Sequence, residues 1–238
     1  MLPPLMSPIV KLTEVSKLYE RGDDRICGLD RVTLEVTAGA FCAFVGPSGC
    51  GKSTLLNLIA GLDLPTSGDI QLIGQSTARY NADDWTRVRR QCIGIVFQAF
   101  HLVPGLTVEE NVAFPLLLRG DKSRKVRDRV SEVLSLVRMN HRARHRPSEL
   151  SGGEQQRAAV ARAIVHEPRI VLADEPTGNL DSQHGGEIIA LLRSLARDFH
   201  LTVLLVTHSA AAAEAADYIW AMKDGRLLTR TVLRAARC

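Results

Sequence analysis

The chain's 238 residues are 45% hydrophobic and 24% charged, an ordinary globular mixture with length enough for a sizeable core in one domain, with room for a subdomain. A formal net charge of +4 is a mild excess that neither demands nor excludes a polyanionic partner. Five cysteines, Cys27, Cys42, Cys50, Cys92 and Cys238, form an odd set without a C-x-x-C pair, which argues against a disulfide framework or a zinc site and fits a reducing cytosol.

In chain order, MLPPLMSPIVKL lacks a basic stretch followed by a continuous apolar run, so no leader is expected. No segment approaches the roughly 18 apolar residues of a membrane helix, and any membrane role must come through a partner. Residues 9–19 and 29–37 alternate apolar and polar side chains, predicting half-buried strands joined by the turn-rich RGDDR segment. Ala40 to Val45 is a short apolar run that meets a glycine turn at Gly46. Lys52 to Ala60 then shows helical apolar spacing until Gly61 stops it.

GPSGCGKS, Gly46 to Ser53, matches G-x-x-x-x-G-K-[ST] in the strand-loop-helix context that this pattern requires. Its backbone amides are expected to wrap nucleoside triphosphate phosphates. Lys52 would neutralise β and γ oxygens and Ser53 would ligate Mg²⁺. Cys50, inside the loop at a helix N-terminus, predicts reaction with thiol reagents and protection by ATP; a small side chain that fits the loop is the plainer reading. Tyr19, in KLYERG ahead of the loop, suits stacking on adenine or, nearly as well, filling a strand face. Gln98 ends the strand-like IGIVFQ, where its amide suits a metal or water ligand or simply a polar strand end.

Leu106 to about Glu149 is expected to be helical, with Val126, Val130, Val133, Leu134 and Val137 at helical spacing. The basic residues from Arg119 to Arg146, among them Lys122, Arg124, Lys125, Arg127, Arg129, Arg142 and Arg144, have no interleaved aromatics for base stacking. They read as a solvated face, or one turned to a partner or lipid headgroups. LSGGEQQR, Leu150 to Arg157, places Ser151 as a helix N-cap with Glu154 at capping-box spacing, so the amides of Gly152 and Gly153 open a second anion site. One ATP has a single γ-phosphate, and two such turns in one chain need explaining.

After Pro168, apolar strands at 170–174, 201–208 and 218–222 alternate with an amphipathic stretch around Ile188 to Leu195, predicting a mainly parallel sheet covered on both faces. IVLAD ends in adjacent acids, where ligands sit in open α/β sheets. Asp174 suits holding Mg²⁺ through its water shell, and Glu175 suits orienting or deprotonating the attacking water. His208 is a structural histidine by default; if its strand neighbours the glycine-loop strand, its ring reaches the γ-phosphate side.

GPSGCGKS, Gln98, LSGGEQQR, VLADEPTGNLD and Thr207-His208, in this order over nearly the whole chain, resemble the ATP-binding cassette (ABC) ATPases. LSGGEQQR is the discriminating element. TLLNLIAGLDLPTSG, FQAFHLVPGLTVEENV and DEPTGNLD are similar to the bacterial branch containing the lipoprotein-releasing and macrolide-exporter ATPases. The resemblance implies an α/β fold: a P-loop NTPase core with a mainly parallel sheet, an N-terminal antiparallel β layer and an inserted α-helical subdomain. Residues 1–238 would be one cassette, with 1–98 and 168–238 as core and about 99–167 as the helical subdomain.

It further implies two cassettes packed head to tail. Each ATP would be held by Gly46, Pro47, Ser48, Gly49, Cys50, Gly51, Lys52, Ser53 and Thr54 of one copy, with Tyr19, and by Ser151, Gly152, Gly153 and Gln155 of the other. Glu175, His208, Gln98 and Lys52 would be catalytic, with Ser53, Gln98 and Asp174 on Mg²⁺. Asp181 matches the element that crosses the dimer seam, and Gln98 the loop that touches a membrane subunit. Ser209 stands where relatives usually carry an acid, and His101 replaces a commonly polar residue. Expected partners are a second copy and a separately encoded permease, with no specific nucleic acid, at the cytoplasmic face of the inner membrane. An ABC-type ATPase acting on nucleic acid or ribosomes is the alternative, against which stand the single cassette and the lack of sustained heptads. A GTPase or kinase leaves LSGGEQQR unexplained and lacks N-K-x-D. A purely regulatory, non-hydrolysing clamp leaves Glu175 without a purpose.

Overall fold

The computed structural model describes residues 8–22 and 24–233. Met1–Ser7 of the expected leaderless start, Asp23 of RGDDR, and Cys238 lie outside the described residues. Strand β1 (Val10–Arg21) pairs antiparallel with β2 (Asp24–Val36), from Val10 opposite Val36 to Arg21 opposite Asp24. The ribbon therefore runs through much of the segment expected to be a turn. An antiparallel pair can carry polar residues on a solvated face, and β2 from Asp24 to Cys27 is exposed before its inner half alternates buried and exposed.

β3 (Phe41–Val45) leads through the glycine loop into α1 (Lys52–Ala60). Gly61 ends α1 in the left-handed region at φ 62°, donating its amide to Asn57 and Leu58 carbonyls. No element is legible in residues 62–92, yet they hold β4 (Ser67–Leu72), β5 (Gln75–Ser76) and α2 (Ala82–Cys92). α2 fully buries only Trp85, with Val88 and Cys92 partly buried on the same face, so its apolar stripe is short; its plainer signal is the capping box of Asn81 and Asp84.

β6 (Ile93–Val96) precedes a stretch of helices: α3 (Val108–Arg119), α4 (Ser123–Leu136), two short 3₁₀ turns and α5 (Gly152–Ile164). The expected basic face is partly turned inward. Arg119 binds Asp121 and the His166 carbonyl, Arg129 the Val165 carbonyl and Glu132, and Arg142 Glu154. The chain then alternates through β7 (Ile170–Asp174), α6 (Ser182–Asp198), β8 (Thr202–Thr207), α7 (Ala210–Ala213), β9 (Tyr218–Lys223) and β10 (Arg226–Val232).

The strands form a four-stranded antiparallel sheet, β2-β1-β4-β5, and a six-stranded sheet, β10-β9-β3-β8-β7-β6, parallel except for β10. Alternation along the central strands serves two cores. Phe41, Ala43, Val203 and Leu205 face the layer of α3 to α6, while Cys42, Phe44, Leu204 and Val206 face α1 and the antiparallel sheet. Each large apolar side chain buried this way contributes about 1.5–3 kcal/mol. Burial also pushes the Cys42 thiol up to about 12, leaving it inert. Among the described residues no helix is long and apolar enough to cross a membrane.

The order decides where chemistry sits. β3 lies between β9 and β8, so the chain departs to opposite sides of β3, opening a crevice at the carboxyl edge. Val45 pairs with Thr207, which sets His208 beside the glycine loop, and Asp174 pairs with Val206, which brings the two acids to the same edge.

Candidate functional site

The glycine loop is shaped by backbone that passes very close to it. A side chain at Gly46 would collide with the Met222 carbonyl, and one at Gly51, held at φ 102°, with the Gly28 carbonyl. Gly51 is the N-cap of α1 and offers no side-chain cap, and the first turn holds no acid, so the helix's amides and dipole stay uncompensated. Lys52 is buried, and its Nζ donates to the carbonyls of Gly46 at 2.8 Å and Pro47 at 2.9 Å. Cys50 corrects one expectation. It is 3% exposed, folded beneath the loop toward Gly46, so ready alkylation does not fit this conformation; Cys27, on β2, is an exposed thiol.

Ser53 Oγ donates to Asp174 Oδ1 at 3.1 Å. Burial raises the Asp174 carboxyl above its usual range, the neighbouring Glu175 charge adds to this, and the Ser53 hydroxyl and Lys52 oppose it. Two adjacent hard oxygen donors, one of them a carboxylate in need of a compensating charge, suit Mg²⁺. Among the described residues no cluster of three or more His, Cys, Asp or Glu side chains forms a ready-made cage. An ion here would therefore keep waters or phosphate oxygens as its other ligands.

Glu175 sits in the left-handed region at φ 46°, an unfavourable place for a non-glycine residue costing about 1–3 kcal/mol. Its amide donates to the Val206 carbonyl at 2.9 Å. His208 Nδ1 lies 2.8 Å from Glu175 Oε2, and the His208 amide donates to the same oxygen at 3.3 Å. The Nδ1 contact fixes the proton on that nitrogen and leaves Nε2 on a ring that is 68% exposed, while the Glu175 side chain is 16% exposed.

Gln98 follows β6 and meets the loop after Glu175. Asn179 Nδ2 donates to the Gln98 carbonyl at 3.0 Å, and a Cβ at Gly178 would lie 2.6 Å from Gln98 Nε2. Tyr19 borders the glycine loop: a Cβ at Gly28 would lie 2.7 Å from Tyr19 Cε2 and 3.2 Å from Thr54 Cγ2. Lys17 Nζ stands 5.0 Å from the Tyr19 ring centroid and pairs with Asp63 at 2.6 Å. Asn179, Lys17 and Asp63 are absent from the sequence reading. Only the polar wording GNLD hints at Asn179, and no local signal joins Lys17 to Asp63.

Ser151 caps α5: Glu154 N donates to its Oγ at 3.3 Å and its own amide donates to Glu154 Oε2 at 2.9 Å. That amide, with Arg142, holds the Glu154 carboxyl below the ordinary range against the effect of burial. Gln155 Nε2 donates to the Leu150 carbonyl at 3.2 Å, bracing the turn from within. Asp181 caps α6, accepting from the amides of Gln183 and His184. The LSGGEQQR turn packs on this same segment, with Gly152 against Leu180 and Gly153 against His184. Among the described residues no hydrogen bond or ion pair joins it to residues 46–54. The structure thus gathers residues 46–54, Tyr19, Asp174, Glu175, His208 and Gln98 around one sheet edge, and leaves the second turn on its own.

The family model described as "ABC transporter" matches residues 29–178. The chain belongs to the ABC transporter family. It is an ATP-binding cassette of that family, an ATPase, and its α/β sheet with an antiparallel layer is the cassette fold. It is 42% identical over 228 residues to the macrolide export ATP-binding/permease protein MacB of Brucella melitensis biotype 1, covering 96% of this chain and 35% of that protein. The chain thus spans about a third of the length of the macrolide-export relatives it matches. An uncharacterized ABC transporter ATP-binding protein of Mycobacterium tuberculosis is 44% identical over 221 residues, covering 93% of this chain and 89% of that one. Among solved structures, the dimeric post-hydrolysis state of the ATP-binding cassette MJ0796 bound to ADP and Pi aligns with a TM-score of 0.88 at 41% identity, over 95% of this chain and 99% of that one. CbiO1 from Clostridium perfringens, part of the ABC transporter complex cbiONQ, aligns with a TM-score of 0.86 at 28% identity, over 95% and 89%.

Proposed function

We propose that two copies of this cassette enclose two ATP molecules head to tail, hydrolyse them with Mg²⁺, and drive a separately encoded membrane permease from its cytoplasmic face. The observation that carries the reading is the Glu175–His208 pair at 2.8 Å, with His208 just after β8, the neighbour of the strand that feeds the glycine loop, and Glu175 just after β7, the next strand out. A strained carboxylate held by a histidine, next to a phosphate cradle, is the arrangement an attacking water needs.

In this reading residues 46–54 wrap the phosphates and Lys52 exchanges its two loop carbonyls for β and γ oxygens. Ser53 and Asp174, with Gln98, hold the metal, whose chemistry when bound is to neutralise charge on the β and γ oxygens. Glu175 orients and deprotonates water, and His208 presents its exposed Nε2 edge to the γ-phosphate. Tyr19 supports the base. The partner copy supplies the Gly152 and Gly153 amides, which explains why one chain carries two anion-binding turns that do not meet, and Asp181 stands at the seam. Loss of the γ-phosphate then removes the ligand that both surfaces share.

Coupling is assigned to the stretch 99–167, read as a helical subdomain on a core of 1–98 and 168–238. A groove of about 340 Å³ beside Gln98 is lined by Phe97, Phe114, Leu118 and Arg90, and Phe114 and Leu118 are exposed. An apolar floor with a basic rim suits a permease segment. No specific nucleic acid enters this reading. Macrolide export belongs to the relative's name; for this chain, export or transmission of force to a partner is the branch proposed.

Phosphate release with and without Mg²⁺ tests the core. Glu175→Gln should keep ATP binding while kcat falls about 10²–10⁴-fold, and the trapped dimer should accumulate. Retained turnover would remove Glu175 from the base role.

A further inference from the structure

Asp181 has both carboxylate oxygens engaged within its own chain. Oδ1 accepts from the amides of Gln183 and His184 at 3.0 Å each, and Oδ2 lies 2.5 Å from His184 Nδ1. The same imidazole is the wall of the LSGGEQQR turn: a Cβ at Gly153 would lie 3.2 Å from His184 Cδ2 and 3.6 Å from Cγ. One exposed ring therefore touches the residue proposed for the dimer seam and the turn proposed to hold the partner's ATP.

We infer that His184 is a positioning residue for hydrolysis, fixing Asp181 and the Gly152–Gly153 turn as one unit, with its proton setting how firmly they are held. This rests on the sandwich reading above. Every charged group facing the ring bears on that proton: Asp181 and Glu187 on α6, and Arg157 on α5, which is itself paired with Glu187 at 2.7 Å. The Asp181 hydrogen bond and charge hold the imidazole above the ordinary histidine range, with Glu187 adding to this and Arg157 opposing it. The hydrogen bonds from His184 hold Asp181 below the carboxylate range. The sign follows from the raised value. The ion pair is complete below the ordinary histidine pKa of about 6.5, and its charge is lost as pH rises through the elevated one, leaving a neutral hydrogen bond.

His184→Asn keeps an N–H donor near the Nδ1 position and removes the titration, whereas His184→Ala removes both. We expect His184→Ala to lower kcat about tenfold at about pH 6.5, the size of one charge-assisted hydrogen bond, and less at about pH 9. His184→Asn should recover most of that loss with a profile lacking the wild-type fall on the alkaline side. The ring is exposed, so both variants should melt like the wild type. An active wild type whose profile His184→Asn reproduces, or a fully active His184→Ala, overturns the role of His184 alone. A wild type that does not turn over ATP overturns the function beneath it.

Discussion

Asp174 carries its charge against its surroundings. Its folded-state pKa is raised, first by burial and then by Glu175. Any stability it lends is therefore full below the unfolded value of about 3.9 and is lost as pH rises through the folded one. At neutral pH the ionised group opposes folding of the ligand-free chain. Asp174→Asn keeps an acceptor for the Ser53 hydroxyl and should raise the ligand-free melting temperature by roughly 2 °C, a small gain because the half-buried site is screened by solvent. The difference should close below about pH 4. With Mg²⁺ and ATP the order should invert, since the cation relieves the wild-type charge. A variant that melts lower than the wild type without ligand would sink this account. At this scale the motif residues were legible, because a glycine loop, adjacent acids after an apolar strand and a capping box are local chemistry. His184, Lys17 and Asp63 were not, because their meaning lies in what they touch through space.

α5 depends on its first turn. Ser151 and Glu154 satisfy each other's amides, so the amides of Gly152 and Gly153 remain for an anion. Ser151→Ala should cost about 1 kcal/mol in urea unfolding and, more sharply, weaken ATP-dependent association while the glycine loop still binds nucleotide. Unchanged dimer affinity in this variant would detach the cap from the second anion site. The cap of α5 was readable because S-x-x-E precedes a periodic run. α2 was not, because its apolar stripe is only Trp85, Val88 and Cys92, set among five charged residues, Asp83, Asp84, Arg87, Arg89 and Arg90. The β1–β2 ribbon outran its prediction for a related reason: its far end is exposed and holds together through backbone pairing, which residue alternation does not report.

Over the whole molecule, the strand order β9-β3-β8-β7 places His208, after β8, beside the glycine loop and Glu175, after β7, one strand further out, and nothing local in the sequence states that order, since parallel neighbours are joined by long crossovers. What the order withholds is equally informative: the second anion-binding turn sits with residues 179–184 and not with the first. If each ATP is completed by a second copy, two differently crippled chains should rescue one another. Lys52→Ala destroys the cradle but keeps the LSGGEQQR turn. Gly152→Asp keeps the cradle and sets a carboxylate where the γ-phosphate should sit; the one tight contact of its Cβ is the flexible Leu180 side chain at 3.2 Å, with the Asn179 carbonyl at 3.8 Å and Phe100 at 3.9 Å in ordinary contact, so the chain should fold. Alone, each should be inactive, because every site in its dimer contains the lesion. Mixed in equal amounts, half the dimers pair one of each, and such a pair has one intact site, the cradle of the Gly152→Asp chain closed by the turn of the Lys52→Ala chain. With independent sites about a quarter of the wild-type phosphate release should return, rising with total protein as dimers form. A mixture no more active than its components would mean that each chain completes its own site, and the head-to-tail arrangement would fall with it.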